Sequence, residues 1–124
     1  MNQPSQSFPK TLRLVRGHQF DKVYRQGRVV SDETLVIHAI ANGLSITRLG
    51  LSVSKRVGNA PVRNRWKRLI REAFRLRSSH LPLGLDLVVR PRKGASPEFP
   101  RVWNAIADLV PKLALRLHRR TEND

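Results

Sequence analysis

Cysteine is absent from the 124-residue chain, which excludes both a disulfide framework and a thiolate metal site. Acidic residues are scarce: nine Asp and Glu stand against 24 Lys and Arg, for a net charge of +15. No apolar run approaches the roughly 20 residues that span a bilayer. Residues 1–7 are polar and lack the apolar segment of a secretory signal. No internal repeat is visible, and no Gly/Ser linker divides the chain. These absences predict a cytoplasmic protein of one domain, covering residues 9–118, with a disordered tail at 1–8 and another at 119–124.

What is present is positive charge on a foldable chain. The hydrophobic fraction of 40% is enough for one modest core. A compact chain so cationic repels itself and calls for a polyanionic partner. A membrane-surface protein would need a basic helix with an aromatic or Leu-rich insertion face, so nucleic acid is the first candidate.

Periodicity orders the elements. Phe20, Val23 and Tyr24 recur at helical spacing within residues 17–26, with Gly27 as a left-handed stop. The start of this helix has no Ser, Thr or Asp cap. A short strand at 28–31 precedes a strand at 34–41 that is apolar on both faces, and Asn42-Gly43 marks a turn. Residues 49–54 alternate, with Leu49, Leu51 and Val53 on one face. After a basic connection at 55–60, Pro61 suits the first turn of a helix at 62–79. Its Val62, Trp66, Leu69, Ile70 and Ala73 form an apolar stripe. A strand at 85–90 ends at Pro91, and a last helix at 99–118 buries Val102, Ile106, Leu109, Leu113 and Leu117, with a kink or break at Pro111. Trp66 and Trp103 both belong to the core. The order helix, three strands, helix, strand, helix is that of an α+β sandwich.

The 62–79 helix carries the chemistry. Arg63, Lys67, Arg71 and Arg75 form one row, with Asn64 and Arg68 beside it, on the face opposite Trp66. Glu72 is the helix's only acid, so these cations lack intrahelical partners. Lys55 and Arg56 enter from the preceding loop at the helix N-terminus. Arg forks two N–H bonds to a phosphate and Lys supplies a mobile charge. A solvated basic face is the competing reading of any such run.

Residues 50–75, GLSVSKRVGNAPVRNRWKRLIREAFR, closely resemble the signature of the bacterial ribonuclease P protein component. Its hallmark here is Arg63-Asn64-Arg65 followed by Lys67, Arg68 and Arg71. The likeness extends over residues 8–118, with Phe-x-x-Val-Tyr at 20–24 and Leu-Val-Val-Arg at 87–90. The resemblance implies a protein that cuts nothing itself. A large catalytic RNA, using Mg²⁺ held mainly by RNA and substrate, removes the 5′ leader of precursor transfer RNA. It implies that Arg63, Asn64, Arg65, Lys67, Arg68 and Arg71, with Lys55 and Arg56, touch the catalytic RNA. It also implies that Phe20, Tyr24 and His38, with Val36 and Ile40 on the same strand face, hold the leader. His38 stands where the family commonly has a larger aromatic. The implied fold is like one domain of a ribosomal small-subunit protein and of elongation factor G. Its crossover around the Arg-Asn-Arg helix is left-handed, although handedness statistics alone predict the opposite.

Read from the residues alone, Phe20 and Tyr24 at i, i+4 also fit core packing. A nuclease acting by itself would need clustered carboxylates or a histidine pair. Asp21, Glu33, Glu72, Asp86, Glu98 and Asp108 are scattered, and the four histidines show no ligand spacing. A ribosomal or general RNA-binding protein is the alternative. A DNA-binding helix-turn-helix needs a short helix where residues 49–54 form a strand.

Overall fold

The computed structural model describes residues 10–123; the expected tail at 1–8 lies outside them. A 3-10 turn, Lys10–Leu12, leads to α1 (Gly17–Gln26), β1 (Arg28–Ser31), β2 (Leu35–Ala41), β3 (Arg48–Leu51), α2 (Ala60–Arg77), β4 (Leu85–Pro91) and α3 (Phe99–Asn123). The predicted α+β order holds. The sheet order is β1-β2-β4-β3, antiparallel except for the parallel pair β3 and β4. α2 is therefore the crossover between two adjacent parallel strands.

β2 and β4 are the central strands, which explains why β2 is apolar on both faces. Leu35, Ile37 and Ala39 join Leu85, Leu87, Val89, Val30 and Leu49 in the main core. α2 adds Trp66, Ile70, Ala73 and Phe74 to it, and α3 adds Val102, Ile106, Leu109 and Leu113. The opposite face of the sheet receives α1: Val23 packs with Leu14, Ile40 and Val88, and Phe20 covers them. One end of the sheet is held by Asp86, which takes two bonds from Arg48 (2.8 and 2.7 Å) and one from Asn42 Nδ2 (2.8 Å).

Several local expectations are corrected. Gln19 supplies the missing cap of α1: its Oε1 accepts from the N–H groups of Val15 (3.1 Å) and Arg16 (3.0 Å), half of a capping box. Gly27 is not left-handed, since its φ of −89° and ψ of 178° are extended. Glycine is required there by space: a Cβ would lie 2.4 Å from the Val23 carbonyl oxygen and 2.5 Å from that of Ala39. β3 ends at Leu51, though the Ser52 N–H still donates to Val89 O at 3.0 Å. Pro111 neither breaks nor ends α3, which runs past the predicted end at His118 to Asn123. Trp103 is only half-buried at the seam of α2 and α3. The Arg77 guanidinium lies 3.8 Å from its ring centroid, and Arg77 Nε donates to its carbonyl oxygen at 3.1 Å.

Rigid carbonyls cannot yield to a methyl group as a side-chain tip can. Gly27→Ala is expected to destabilise the fold by about 1–3 kcal/mol, the usual cost of overpacking. Urea unfolding checks this; an unchanged midpoint would mean that α1 is free to shift from β2.

Candidate nucleic-acid interface

α2 begins with Asn59, whose Oδ1 accepts from the Val62 N–H at 3.1 Å, and Pro61 occupies the first turn. Trp66 is 1% exposed, and this anchor sets which way every other side chain of α2 points. Asn64 and Arg68 project into solvent. Lys67 and Arg71 turn toward the segment before α1 and line a pocket there with Arg13. Arg65 leaves on the other flank, where its Nε donates to Pro97 O at 3.0 Å.

Two expectations about this face change. Arg63 is half-buried, and its Nε is buried with no hydrogen-bond partner among the described residues, so it is not opposite Trp66. A step of 100° per residue already places it only about 60° from Trp66. Arg75 is not free of intrahelical partners: it forks onto Glu72 with bonds of 3.2 and 2.7 Å, and this bond raises the guanidinium's proton affinity. Lys55 and Arg56 are exposed on a 3-10 turn, Lys55–Val57, capped by Ser54 Oγ, which accepts from the Arg56 N–H at 3.3 Å.

The second group of candidate residues lies across the sheet from α2. Val36, His38 and Ile40 alternate onto the α1 face of β2, beside Arg90 and Val88 of β4. The register runs Val29, His38, Val88, Gly50 across all four strands. Gly50 leaves room for Phe20, whose Cζ would lie 2.8 Å from an added Cβ. Tyr24 is 41% exposed and meets the His38 ring edge-on, with centroids 4.8 Å apart. Val36 and Ile40, at 8% and 6% exposure, form a floor with little surface left to touch a ligand. Phe20 packs over Gly50, Tyr24 is the exposed ring, and His38 is half-buried against it.

His38 Nε2 is buried without a hydrogen-bond partner among the described residues. Burial, and then the charge of Arg90, push the His38 imidazole below its ordinary proton affinity. Arg90 was missed in the sequence. It is exposed on the α1 face and, with Ser54, Arg56 and Lys93, lines a pocket of ≈ 300 Å³. Strand alternation places Arg90 on the face of Val88, but only the β2–β4 register brings it beside Val36.

Among the described residues no three His, Asp or Glu side chains are grouped to hold a metal. Three carboxylates are engaged by arginine: Asp86 by Arg48, Glu72 by Arg75 and Glu98 by Arg101. No helix among the described residues is long and apolar enough to cross a membrane.

A small α+β domain with cations along one helix, and the Tyr24–His38 ring pair on the opposite face of its sheet, has the charge and surface that suit a polyanionic partner. Residues 8–114 match the ribonuclease P family, and the chain belongs to that family. The ribonuclease P protein component of Caldanaerobacter subterraneus subsp. tengcongensis is 39% identical over 107 residues, covering 86% of this chain and 92% of that one. That of Lachnoclostridium phytofermentans is 48% identical over 98 residues, covering 78% and 84%. The structure of the Staphylococcus aureus RNase P protein superposes with a TM-score of 0.74 at 34% identity, covering 85% of this chain and 96% of that one.

The lowered proton affinity of His38 has a sign. The folded state favours neutral imidazole, so the unfolded chain binds more protons as pH falls through the ordinary histidine range near 6.5. Stability contributed by His38 is complete above that range and is lost as pH falls through the lowered folded value. Thermal melts at pH 7.5 and 5.5 are expected to show a loss in the wild type that is smaller in His38→Phe. An equal loss in both would assign the pH dependence to other groups.

Proposed function

We propose that this chain is the protein subunit of ribonuclease P, assisting removal of the 5′ leader from precursor transfer RNA in the cytoplasm. Asn64, Lys67, Arg68 and Arg71 of α2, with Arg63, Arg65, Lys55 and Arg56, bind the catalytic RNA. The leader lies between α1 and the sheet, against Tyr24 and His38, with Phe20, Val36 and Ile40 beneath. The observation that carries this reading is the outer side of α2: Asn64, Arg68 and Arg71 are exposed with half-buried Lys67 beside them, and the one carboxylate of the helix is bound to Arg75. Membrane and DNA are not partners in this reading.

The cleft suits a processing subunit. Aromatic faces stack on any base, and the cations of Arg90, Arg56 and Lys93 can follow a backbone, so a strand is held with little sequence preference. The hydrolytic step belongs to the RNA. Mg²⁺ is held by RNA and substrate, because the carboxylates of this chain are scattered or paired with arginine and offer it no ligand set. RNA-free protein is therefore inactive on precursor transfer RNA.

Titration of the catalytic RNA at several salt concentrations tests the α2 surface. Lys67→Ala and Arg68→Ala should each lower the salt slope by about 1 while the fold stays intact. Unchanged slopes in both would move the RNA surface elsewhere. The cleft is tested with the reconstituted holoenzyme on substrates with and without a leader. Tyr24→Ala should weaken leader-bearing substrate by about 1–3 kcal/mol, leave mature transfer RNA unaffected and cost little stability. Phe20→Ala should lose stability as well, because its ring fills the space over Gly50. Equal weakening of both substrates by Tyr24→Ala would place the leader outside this cleft. Specific cleavage that co-elutes with RNA-free protein would put catalysis in the chain itself.

A further inference from the structure

The Asn42-Gly43 turn is a motif of the sequence that neither surface described above uses. It is the chain's only Asn-Gly pair, and Asn-Gly is the most labile of asparagine sequences in water. Glycine has no side chain to shield its nitrogen from the carbonyl carbon of the asparagine side chain. Gly43 is exposed with a φ of +72°, and a Cβ built there would meet nothing within 4 Å. Packing gives this turn no cover.

The Asn42 side chain, by contrast, is engaged at both of its polar atoms. Its Oδ1 accepts from the Leu44 N–H at 2.8 Å, and its Nδ2 donates to Ile46 O at 3.1 Å and to Asp86 Oδ1 at 2.8 Å. Only an amide puts a donor and an acceptor in these two places. Asp86 is 5% exposed and is forked from β3 by Arg48. The main chain is tied as well: the Asn42 N–H donates to Gly84 O at 2.9 Å, and the Gly84 N–H donates to Ile46 O at 3.2 Å.

We propose that Asn42 is a deamidation site that the folded end of the sheet holds closed, and whose product that end cannot rebuild. In the reaction the Gly43 nitrogen gives its proton to hydroxide and bonds to Asn42 Cγ. The Cγ–Nδ2 bond breaks, ammonia leaves with a proton taken from water, and a succinimide ring remains. Water then opens the ring to aspartate or isoaspartate at position 42. Attack makes Cγ tetrahedral, so the planar amide at which all three side-chain bonds aim is lost on the way. Losing one hydrogen bond to a charged acceptor slows a step by about tenfold or more. The product also reverses a polarity. An oxygen replaces Nδ2 and faces Ile46 O and the Asp86 carboxylate with no proton between them, and Arg48 is already committed to Asp86. Isoaspartate further lengthens the main chain where Asn42 and Ile46 are both pinned to Gly84. Deamidation is thus confined to chains whose sheet end has opened, and it is one-way.

The test uses the full-length protein freed of RNA, held at mildly alkaline pH either folded in buffer or unfolded in guanidinium chloride. Tryptic peptide 29–48 contains Asn42 and no other Asn or Gln, so mass spectrometry reads its conversion directly. Conversion should be at least about tenfold slower in the folded protein. Equal rates in the two states overturn the gate. The product is tested by Asn42→Asp, which should unfold at a lower guanidinium concentration than the wild type. Adding Asp86→Asn removes the facing carboxylate and should recover part of that loss. A wild-type midpoint for Asn42→Asp, or no recovery in the double variant, overturns the clash. If Asn42→Asp does not fold, the double variant decides alone: a cooperative unfolding transition supports the clash, and its absence overturns it.

Discussion

The burial of Trp66 sets the rotation of α2, and the charge distribution of the whole molecule follows from that setting. A Trp side chain buries about 200 Å², worth about 5 kcal/mol at 25 cal/mol/Å². Ile70, Ala73 and Phe74 add to this on the same stripe. Two unit charges ~7 Å apart in water repel by only about 0.6 kcal/mol. The core therefore fixes the phase of the helix, and the cations must accept their places. Lys67 and Arg71 are carried toward Arg13, Arg65 is carried to the opposite flank, and Asn64 and Arg68 are left between them.

The same constraint explains where the few acids lie. Asp86 is buried, so it must be satisfied, and Arg48 and Asn42 do this at the end of the sheet. Glu72 and Glu98 each hold an arginine three residues further along their helix or its approach. Exposed pairs of this kind contribute little stability. Their effect is on the field: Glu72 neutralises Arg75 towards the C-terminal end of α2 and Glu98 neutralises Arg101 on α3, so neither is bound to Lys67, Arg68 or Arg71.

Much of this was legible in the sequence, because it depends on local period. The order of elements, the apolar stripe of α2 and the two-sided burial of β2 all follow from residue spacing. The errors came where the deciding neighbour is distant or the local rule has exceptions. Gly27 looks like a left-handed stop, but the reason for glycine is the Ala39 carbonyl of the next strand. Pro111 reads as a helix breaker, yet α3 continues through it, with Pro111 on its exposed side. A single acid among so many cations suggests that none of them is paired, yet Glu72 stands three residues before Arg75 and binds it. Period alone does not find the neighbours of Arg13 and Arg90. They enter through the Arg13–Leu49 bridge and the β2–β4 register, neither of which leaves a local signal. His38 and Tyr24 were recognisable as candidates only through the family motif. Their 4.8 Å ring contact depends on how α1 lies across β2.

A four-stranded sheet has only two faces, and this chain uses them unequally. The face under α2 and α3 is closed and apolar, so any ligand on that side must bind the outside of the helices. The other face carries one short helix, and the rest of it is left to Val29, His38, Arg90 and their neighbours. A single strand can lie against such a half-covered face, whereas a duplex needs a groove-filling helix or ribbon. The two proposed RNA surfaces therefore sit on opposite sides of the sheet and differ in kind: cations on a rigid helix for a folded RNA, and rings beside a half-open sheet for a flexible strand.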